Sequence, residues 1–424
     1  MIIIFHTAEL GKYIGWNELQ RIKHNCKKYR DKNGNIVPNR WIFDKYSDNG
    51  LIFIYEDPPR TSNKKYRFPW MKVLVNFSKL LRTDEHIVLP EYFEVQDVIH
   101  LYRAYMEVAC MEQRALPFIP KDEDYPERQC NTIELFVQRV DCTAQLTGLS
   151  QKTIDAYIHI YNHSNRKQFP RARPRGYKNY DLQKNYPRHN RQGSAYFASK
   201  NIGVNIYDKH RQMENINEQL KAKGKSPKYS DADVAAAQGI LRIEFQCYKQ
   251  SLPYRLYKNK ETGFTSKTLE NVIDSRISED IILSNLKKLT WSWDVPHRNV
   301  RKTIQAIKDS KSKSKTKTRL IEIINANKPK GMSIDKVVGC ISTPDKFEDD
   351  LRKIKNLGVH PITLPVNKAP DELRNLYCII AEQMEKMKEV FVCDSEELHE
   401  ETAPSGDMSI FDEYEPEELE ESES

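Results

Sequence analysis

Two short stretches, Gly193–Lys209 and Leu241–Lys249, constrain the fold most, because both have the residue pattern of β-strands. In the first stretch we predict strands over Ala195–Ser199 and Val204–Tyr207, joined by a turn that ends at Gly203. An antiparallel hairpin is the structure expected from two such runs and a glycine-containing turn. The chain is therefore expected to contain an antiparallel sheet at this point.

The second stretch alternates apolar and polar residues along a single predicted strand. Leu241, Ile243 and Phe245 should take one face of the strand, and Arg242 and Glu244 should take the other. A carboxylate and a guanidinium group are thus expected to point the same way.

Tyr207 and Lys209 close the predicted hairpin with groups suited to attack on a phosphodiester. The tyrosine oxygen would be the nucleophile, a divalent ion would polarise the phosphate, and Lys209 would offset developing charge. If residue 207 is still in the strand, Lys209 shares its face; if a helix has begun, His210 and Arg211 become its neighbours. A Tyr-Asp-Lys run at the end of a strand is also common in soluble proteins where it has only a structural role. This run alone therefore does not establish the chemistry.

The length of 424 residues predicts two or three structural units. No run of about 18 apolar residues is present, and Met1–Phe5 is too short for a signal peptide, so we expect a soluble, intracellular protein without a membrane partner. Eight scattered cysteines form no CxxC pair, which argues against a zinc site or a disulfide framework.

Positive charge is concentrated outside the C-terminal tail. Residues 394–424 contain 14 Asp and Glu and no Lys or Arg, so residues 1–393 have 67 basic residues against 46 acidic ones. A body this basic predicts a polyanionic partner such as DNA. The acidic tail is expected to be disordered, and it would serve either to compete with nucleic acid or to keep the protein soluble.

Basic and aromatic residues alternate over 166–191, where Asp181 is the single acid. Cations neutralise phosphates and aromatic rings stack on unpaired bases, so the segment suits single-stranded or melted DNA; a solvated loop would have the same composition. The predicted DNA-contacting residues are Arg171, Arg173, Arg175, Lys178 and Tyr180, together with Lys200 and Arg242.

The predicted elements give an α+β fold of four parts. Residues 1–300 should form the first and largest part, with its core motifs in 65–260, and 301–318 a Lys/Ser linker or a phosphate-contacting strip. Residues 319–393 should form a smaller helical, winged-helix-like DNA-binding domain that includes a helix over 371–390, and 394–424 the disordered acidic tail.

The order of five phrases resembles the gene II/X family of phage and plasmid replication initiators, which includes the filamentous-phage gene II endonuclease. The phrases are Lys72–Leu81, Gln138–Thr143, Gly193–Lys209, Leu241–Lys249 and Leu351–Pro365, and the resemblance covers roughly residues 65–365. It implies an antiparallel-sheet rolling-circle endonuclease of the HUH-like type.

By this resemblance the chain would nick one strand of supercoiled origin DNA and remain attached through a tyrosine 5′-phosphate. It would leave a 3′-OH for the host polymerase, act with a host helicase, and later rejoin the strand. Because the covalent bond conserves the phosphodiester energy, rejoining needs no ATP, and the sequence contains no GxxxxGK[ST] loop.

The resemblance also implies the roles of the site residues. Tyr207 and Lys209 match the family's Tyr-x-Lys phrase, and Asp141 and Glu244 are the expected ligands of Mg²⁺ or Mn²⁺. The sequence departs from the pattern of many rolling-circle nucleases, because it contains no His-hydrophobe-His pair and has Lys72 where an acid can stand. A third ligand is left open among three candidates: Glu214, Glu134 and water.

Two other functions use the same features. A mobilisation relaxase would share the chemistry and act at a transfer origin, and a non-catalytic regulator would use only the winged-helix-like region and the basic body. If Tyr207 is not the nucleophile, Tyr196 is the next candidate.

Overall fold

The computed structural model describes most of the chain between residues 2 and 386. The described ranges are 2–31, 34–57, 68–82, 89, 94–113, 135–165, 193–248, 251–253, 267–273, 275–327, 333–341, 343–366 and 369–386. The chain divides into two units, Met1–Ile380 and Ala381–Ser424, and the described residues of the second unit, 381–386, are helical.

The first unit is organised around a nine-stranded antiparallel sheet in the described part of the chain, with strand order β2-β3-β4-β5-β1-β6-β9-β8-β7. The predicted α+β class with a large antiparallel sheet is confirmed. Its strands are β1 (Ile2–Tyr13), β2 (Lys27–Arg30), β3 (Ile36–Phe43), β4 (Leu51–Glu56), β5 (Trp70–Asn76), β6 (Phe136–Leu146), β7 (Ser194–Ala198), β8 (Ile202–Asp208) and β9 (Leu241–Tyr248).

The predicted hairpin is formed by β7 and β8, and β9 lies beside β8. Tyr207 pairs with Arg242 and Asn205 pairs with Glu244 across these two strands. Since directly paired residues share a face of a sheet, this register places Tyr207 on the face that Arg242 and Glu244 occupy. On the opposite face, apolar side chains are fully buried. Each such side chain stabilises the fold by about 1.5–3 kcal/mol.

Helices cover the apolar face. The helix α4 (Gln151–Asn162) packs on β7 and β8, and Gln151 donates a 2.8 Å hydrogen bond to Asp208, the neighbour of Tyr207 that points to the other side. The helix α8 (Ser275–Thr290) packs on β1 and β6. The polar face that contains Tyr207 therefore lies away from both helices.

Several local sequence signals determine where these helices begin. Ser150 caps α4 by accepting a hydrogen bond from the backbone of Thr153, as the sequence predicts. Asp208 caps the next helix in the same way through Arg211, so the chain turns from strand to helix directly after Tyr207. The remaining helices of this part are α1 (Trp16–Lys23), α2 (Phe77–Leu81), α3 (Val95–Glu112), α5 (Lys209–Lys221), α6 (Asp231–Ala236) and α7 (Leu269–Val272).

The part of the first unit from residue 300 to residue 356 is mainly helical. Its helices are α9 (Val300–Asp309), α10 (Ser314–Ala326), α11 (Ile334–Ile341) and α12 (Pro344–Asn356). They share one buried cluster, to which Ile307, Leu320, Ile324 and Phe347 contribute. That these helices form a separate winged-helix-like domain stays a prediction.

The expected linker over 301–318 is different in the structure. Residues 300–309 form α9, and α10 begins at Ser314, so four residues connect two packed helices. Apolar residues spaced along α9, including Ile307, provide a buried face that a composition rich in Lys and Ser obscures. The segment is therefore part of the helical core and not a flexible connection.

A small sheet joins the two ends of the helical region. Strand β10 (His297–Arg298) pairs with β11 (Glu372–Leu373), and Asn299 bridges Leu364. The helix expected over 371–390 begins later, because residues 372–373 are in this strand and residues 376–386 are helical. The predicted acidic tail over 394–424 lies outside the described residues.

None of the helices in the described ranges combines the length and the apolar character that a membrane-spanning helix requires.

Candidate functional site

A polar layer lies on one face of the sheet, across the central strands β1, β6, β9 and β8. Asp141 in β6 and Glu244 in β9 point to this face, and Tyr207 approaches them from β8. The alternation of β9 is what places Arg242 and Glu244 there, as the sequence predicts. The layer thus collects acidic, basic and phenolic groups in one place.

Tyr207 and Glu244 are directly bonded within this layer. The Tyr207 hydroxyl donates a 2.6 Å hydrogen bond to Oε1 of Glu244. Burial raises the pKa of Tyr207 well above 10, and the Glu244 carboxylate raises it further. Burial also raises the pKa of Glu244, although Arg242 opposes the shift. A phenol in contact with a carboxylate of raised pKa is the arrangement of a nucleophile and its general base.

Lys209 lies at the first position of α5, immediately after the strand that contains Tyr207. Its side chain is buried, and its ammonium donates a 3.1 Å hydrogen bond to Gln212. Burial lowers the pKa of Lys209 to about 7, and the positive charge of Arg242 adds to the shift, while Glu244 opposes it. A lysine with this pKa can exchange a proton near neutral pH.

Arg242 was predicted to contact DNA, but it is fully buried under the same layer. Its Nε donates a 3.0 Å hydrogen bond to Gln145 in the neighbouring strand β6. The guanidinium group therefore balances the charge of Glu244 from inside the protein and does not lie on a DNA-facing surface.

Two side chains on the same face of the sheet donate hydrogen bonds to the Asp141 carboxylate. Thr7 donates a 2.5 Å hydrogen bond to Oδ2, and Nε of Arg139 donates a 2.6 Å hydrogen bond to Oδ1. Arg139 also reaches Glu9 at 2.8 Å, and Glu9 in turn pairs with Lys72 at 2.6 Å. Both Asp141 oxygens are thus already neutralised by a cation of the chain.

The expected Mg²⁺ or Mn²⁺ site does not fit this arrangement. A hard cation needs free carboxylate oxygens, and those of Asp141 are engaged by Arg139 and Thr7. Within the described ranges, no group of three or more His, Cys, Asp or Glu side chains is arranged to hold a metal ion. Metal dependence therefore stays a prediction.

His6 belongs to the layer and was missed by the sequence analysis. Its Nδ1 lies 3.6 Å from the Glu244 oxygen that Tyr207 also contacts. Burial lowers the pKa of His6 well below 6.5, with Arg242 and Lys209 adding to the shift. The pairing of β1 with β6 shifts register between Phe5 and Thr7, so His6 is the extra residue of a β-bulge.

The other predicted residues are placed as follows. Lys200 is exposed in the turn between β7 and β8, and Glu214 lies exposed on α5 with His210 at 3.4 Å. The remaining candidates lie outside the described residues: Arg171, Arg173, Arg175, Lys178, Tyr180 and Glu134.

Access to the Tyr207 hydroxyl is restricted. The Tyr207 side chain is 4 % exposed and the Glu244 side chain is nearly as buried. The hydroxyl nevertheless lies on the same face of the sheet as both acids, which is what the predicted chemistry requires.

No protein-family model matches this chain, and no curated protein matches it. One similar solved structure is described as "Structure of Rolling Circle Replication Initiator Protein from Geobacillus stearothermophilus". The TM-score is 0.30 and the sequence identity 11%, over 68% of this chain and 85% of that chain. A likeness this low carries no weight for the fold or the activity, so the residues of this chain must support any function assigned to it.

Proposed function

We propose that this chain is a rolling-circle replication initiator, which nicks one strand of origin DNA through Tyr207. The observation that carries the proposal is the 2.6 Å hydrogen bond from Tyr207 to Glu244, inside a layer that also contains Lys209 and Arg242. Phosphoryl transfer needs a positioned nucleophile, a proton acceptor and positive charge near the phosphate. The proposal is supported by the closeness of Tyr207, Glu244 and Lys209, which would supply these three groups.

In the proposed step, the Tyr207 oxygen forms a bond to phosphorus while the bond from phosphorus to the 3′-oxygen breaks. The phenolic proton passes to Glu244, and the departing 3′-oxygen takes a proton from Lys209 or from solvent. The positive charge of Lys209 offsets the charge that develops on the phosphate. The products are a tyrosine 5′-phosphate and a free 3′-OH.

Rejoining is the reverse of this step. A 3′-OH attacks the phosphotyrosine, the bond from phosphorus to the Tyr207 oxygen breaks, and the phenol regains a proton. The bond energy is conserved in the intermediate, so the reaction needs no nucleotide. Under this proposal the free 3′-OH would be extended by a host polymerase with a host helicase, in the bacterial cytoplasm.

The test incubates the protein and Mg²⁺ with a supercoiled plasmid that contains the origin, and measures relaxed circles with covalently attached protein. Tyr207→Phe should abolish the adduct and leave salt-sensitive DNA binding intact, because only the hydroxyl is removed. Tyr196→Phe is the matched control, since Tyr196 lies in the adjacent strand β7 and pairs with Asn205. If Tyr196→Phe abolishes the adduct and Tyr207→Phe does not, the assignment of the nucleophile is wrong.

Burial of the layer favours a second candidate, a DNA-binding regulator without catalytic activity. Tyr207 is 4 % exposed, and its bond to Glu244 would serve equally as a satisfied buried polar pair. The same assay separates the two functions. If wild-type protein binds the plasmid but yields no adduct with Mg²⁺ or Mn²⁺, the regulator is the better description.

A further inference from the structure

Exposed lysines are concentrated where α9 and α10 meet. We refer to this group as the lysine turn, and it consists of Lys308, Lys311, Lys313 and Lys315. All four side chains are exposed to solvent, and they lie within eight consecutive residues. Hydroxyl-bearing residues alternate with them, including Ser312 and Thr316, so hydrogen-bond donors accompany the charges.

Almost no acid balances this charge. Between residues 301 and 319 the chain contains eight Lys or Arg and one acid, Asp309, which accepts a 2.8 Å hydrogen bond from Gln305. The flanking cations already form ion pairs, Lys302 with Asp371 and Arg319 with Asp350. Within the described ranges, none of the four lysines of the lysine turn forms an ion pair.

Helix stability does not explain these lysines. Lys313 is the N-cap of α10 and gives no side-chain capping bond, and the first turn of α10 contains Lys315 and no acid. Helices favour Ser, Thr, Asp or Asn at the N-cap and acids in the first turn. Each cation placed at the positive end of the helix dipole costs about 0.3–1 kcal/mol. Positive charge at this position therefore lowers the stability of α10.

The backbone beneath the lysine turn is fixed. Ile307 and Leu320 are buried on either side of it, and the ammonium of Lys317 donates a 2.6 Å hydrogen bond to the carbonyl of Lys308. Arg319 anchors α10 through Nε, 2.6 Å from Asp350, which is fully buried. The charges thus project from a rigid helix pair and not from a flexible linker.

We propose that the lysine turn binds the phosphate backbone of nucleic acid, without reading base sequence. Lysines act as point charges toward phosphates, and adjacent hydroxyl and backbone N–H groups donate to the same oxygens. The inference rests on the proposed function for its view that DNA is the substrate. It adds a second contact surface to that function, separate from the Tyr207 layer.

The test compares the full chain with the triple variant Lys311→Gln, Lys313→Gln, Lys315→Gln. Binding to a fluorescent duplex without origin sequence, and to a matching single strand, is measured by anisotropy over a range of salt concentrations. Each lost phosphate contact lowers the slope of log K against log salt by about 0.9 on duplex DNA. The variant should bind at least about tenfold more weakly at low salt, with a slope smaller by about 2 to 3.

The matched control is Lys221→Gln, Lys225→Gln, Lys288→Gln, which removes the same net charge from other exposed positions. This control should keep most of the wild-type affinity and slope. Equal losses in both variants would mean that net charge alone acts, and an unchanged triple variant would mean that phosphates do not contact this turn; either result overturns the proposal. The duplex and single-strand arms show which form of the backbone the turn prefers.

Circular dichroism must show that the triple variant is folded. Because no cleavage is involved, a failure of the nicking proposal leaves this test intact. If the triple variant binds DNA normally but loses binding to a peptide of residues 394–424, the partner is the acidic tail and the proposal is wrong.

Discussion

The Tyr207 hydroxyl donates a 2.6 Å hydrogen bond to Oε1 of Glu244, which is 37 residues away in sequence. The pairing of β8 with β9 makes this contact, because Tyr207 lies diagonal to Glu244 on one face. Burial raises the pKa of Tyr207 well above its ordinary value, so the phenol keeps its proton at neutral pH. Attack on a phosphate must be coupled to transfer of that proton.

Glu244→Gln should reduce the rate of adduct formation by about 10²- to 10⁴-fold, because the amide cannot accept the Tyr207 proton as a base. The amide oxygen can still accept the hydrogen bond, so the melting temperature should change little. The measurement is single-turnover nicking of supercoiled plasmid. Glu214→Gln is the control, since Glu214 lies on α5 beside His210 and should leave the rate unchanged. The opposite pattern would remove Glu244 from the mechanism.

The face that Tyr207 takes relative to Glu244 follows from the register between β8 and β9, which the residue pattern alone does not fix. Local alternation was enough to predict that Arg242 and Glu244 share a face, since a strand has a fixed period of two. It was not enough to predict that Arg242 is buried on that face and bonded to Gln145. Face follows from sequence spacing, whereas burial depends on what later packs above the face. His6 was not predicted as a site residue for a related reason. A β-bulge shifts the register after Phe5, and no residue pattern marks the bulge.

Arg139→Gln should remove the cation that neutralises Asp141 and leave the Asp141 carboxylate able to bind a metal ion. Breaking a buried ion pair costs about 3–5 kcal/mol, so the variant should melt below wild type. Addition of Mg²⁺ should recover part of the loss, because a divalent ion then balances Asp141 and Glu244. Wild type should show little Mg²⁺-dependent stabilisation, since Arg139 already occupies Asp141.

Thermal unfolding with and without Mg²⁺ measures this effect, and Arg298→Gln is the control. Arg298 pairs with Glu372 at 3.0 Å on an exposed surface, where one ion pair contributes about 0–1 kcal/mol. If Mg²⁺ stabilises wild type as strongly as it stabilises the Arg139 variant, Asp141 is available to metal. That outcome would support the metal site that the sequence predicts.

Ile307→Ala tests whether the segment expected to be a linker is part of the core. Ile307 is fully buried among α9, α10 and α12, so the cavity should lower the free energy of unfolding by about 2–5 kcal/mol. Urea denaturation measures the loss, with Gln305→Ala on the exposed side of α9 as control. A loss of less than about 1 kcal/mol in the free energy of unfolding would indicate that residues 301–318 form a flexible linker after all. The sequence alone misled here because a few apolar residues define the buried face of a lysine-rich helix.

Acid should destabilise the fold through buried histidines at the join between the helical region and β10. His297 donates through Nδ1 a 2.8 Å hydrogen bond to the carbonyl of Ile362, and its ring centroid lies 3.9 Å from that of His360, with the two ring planes tilted by 45°. Burial lowers the pKa of His297 to about 4, although the bond to Ile362 opposes the shift. Burial also lowers the pKa of His360, and the neighbouring His297 adds to this effect.

The sign follows from the two states of His297. Between pH of about 4 and 6.5 the unfolded chain takes up a proton that the folded chain refuses, so the free energy of unfolding falls as the pH falls. At about 1.4 kcal/mol per pKa unit the full loss for His297 is about 3 kcal/mol. His297→Asn retains a donor for Ile362 and cannot titrate, so its urea midpoint should depend less on pH than that of wild type. His100→Asn, on the exposed side of α3, should keep the wild-type dependence. Equal pH dependence in wild type and His297→Asn would show that His297 is not the group that acid protonates.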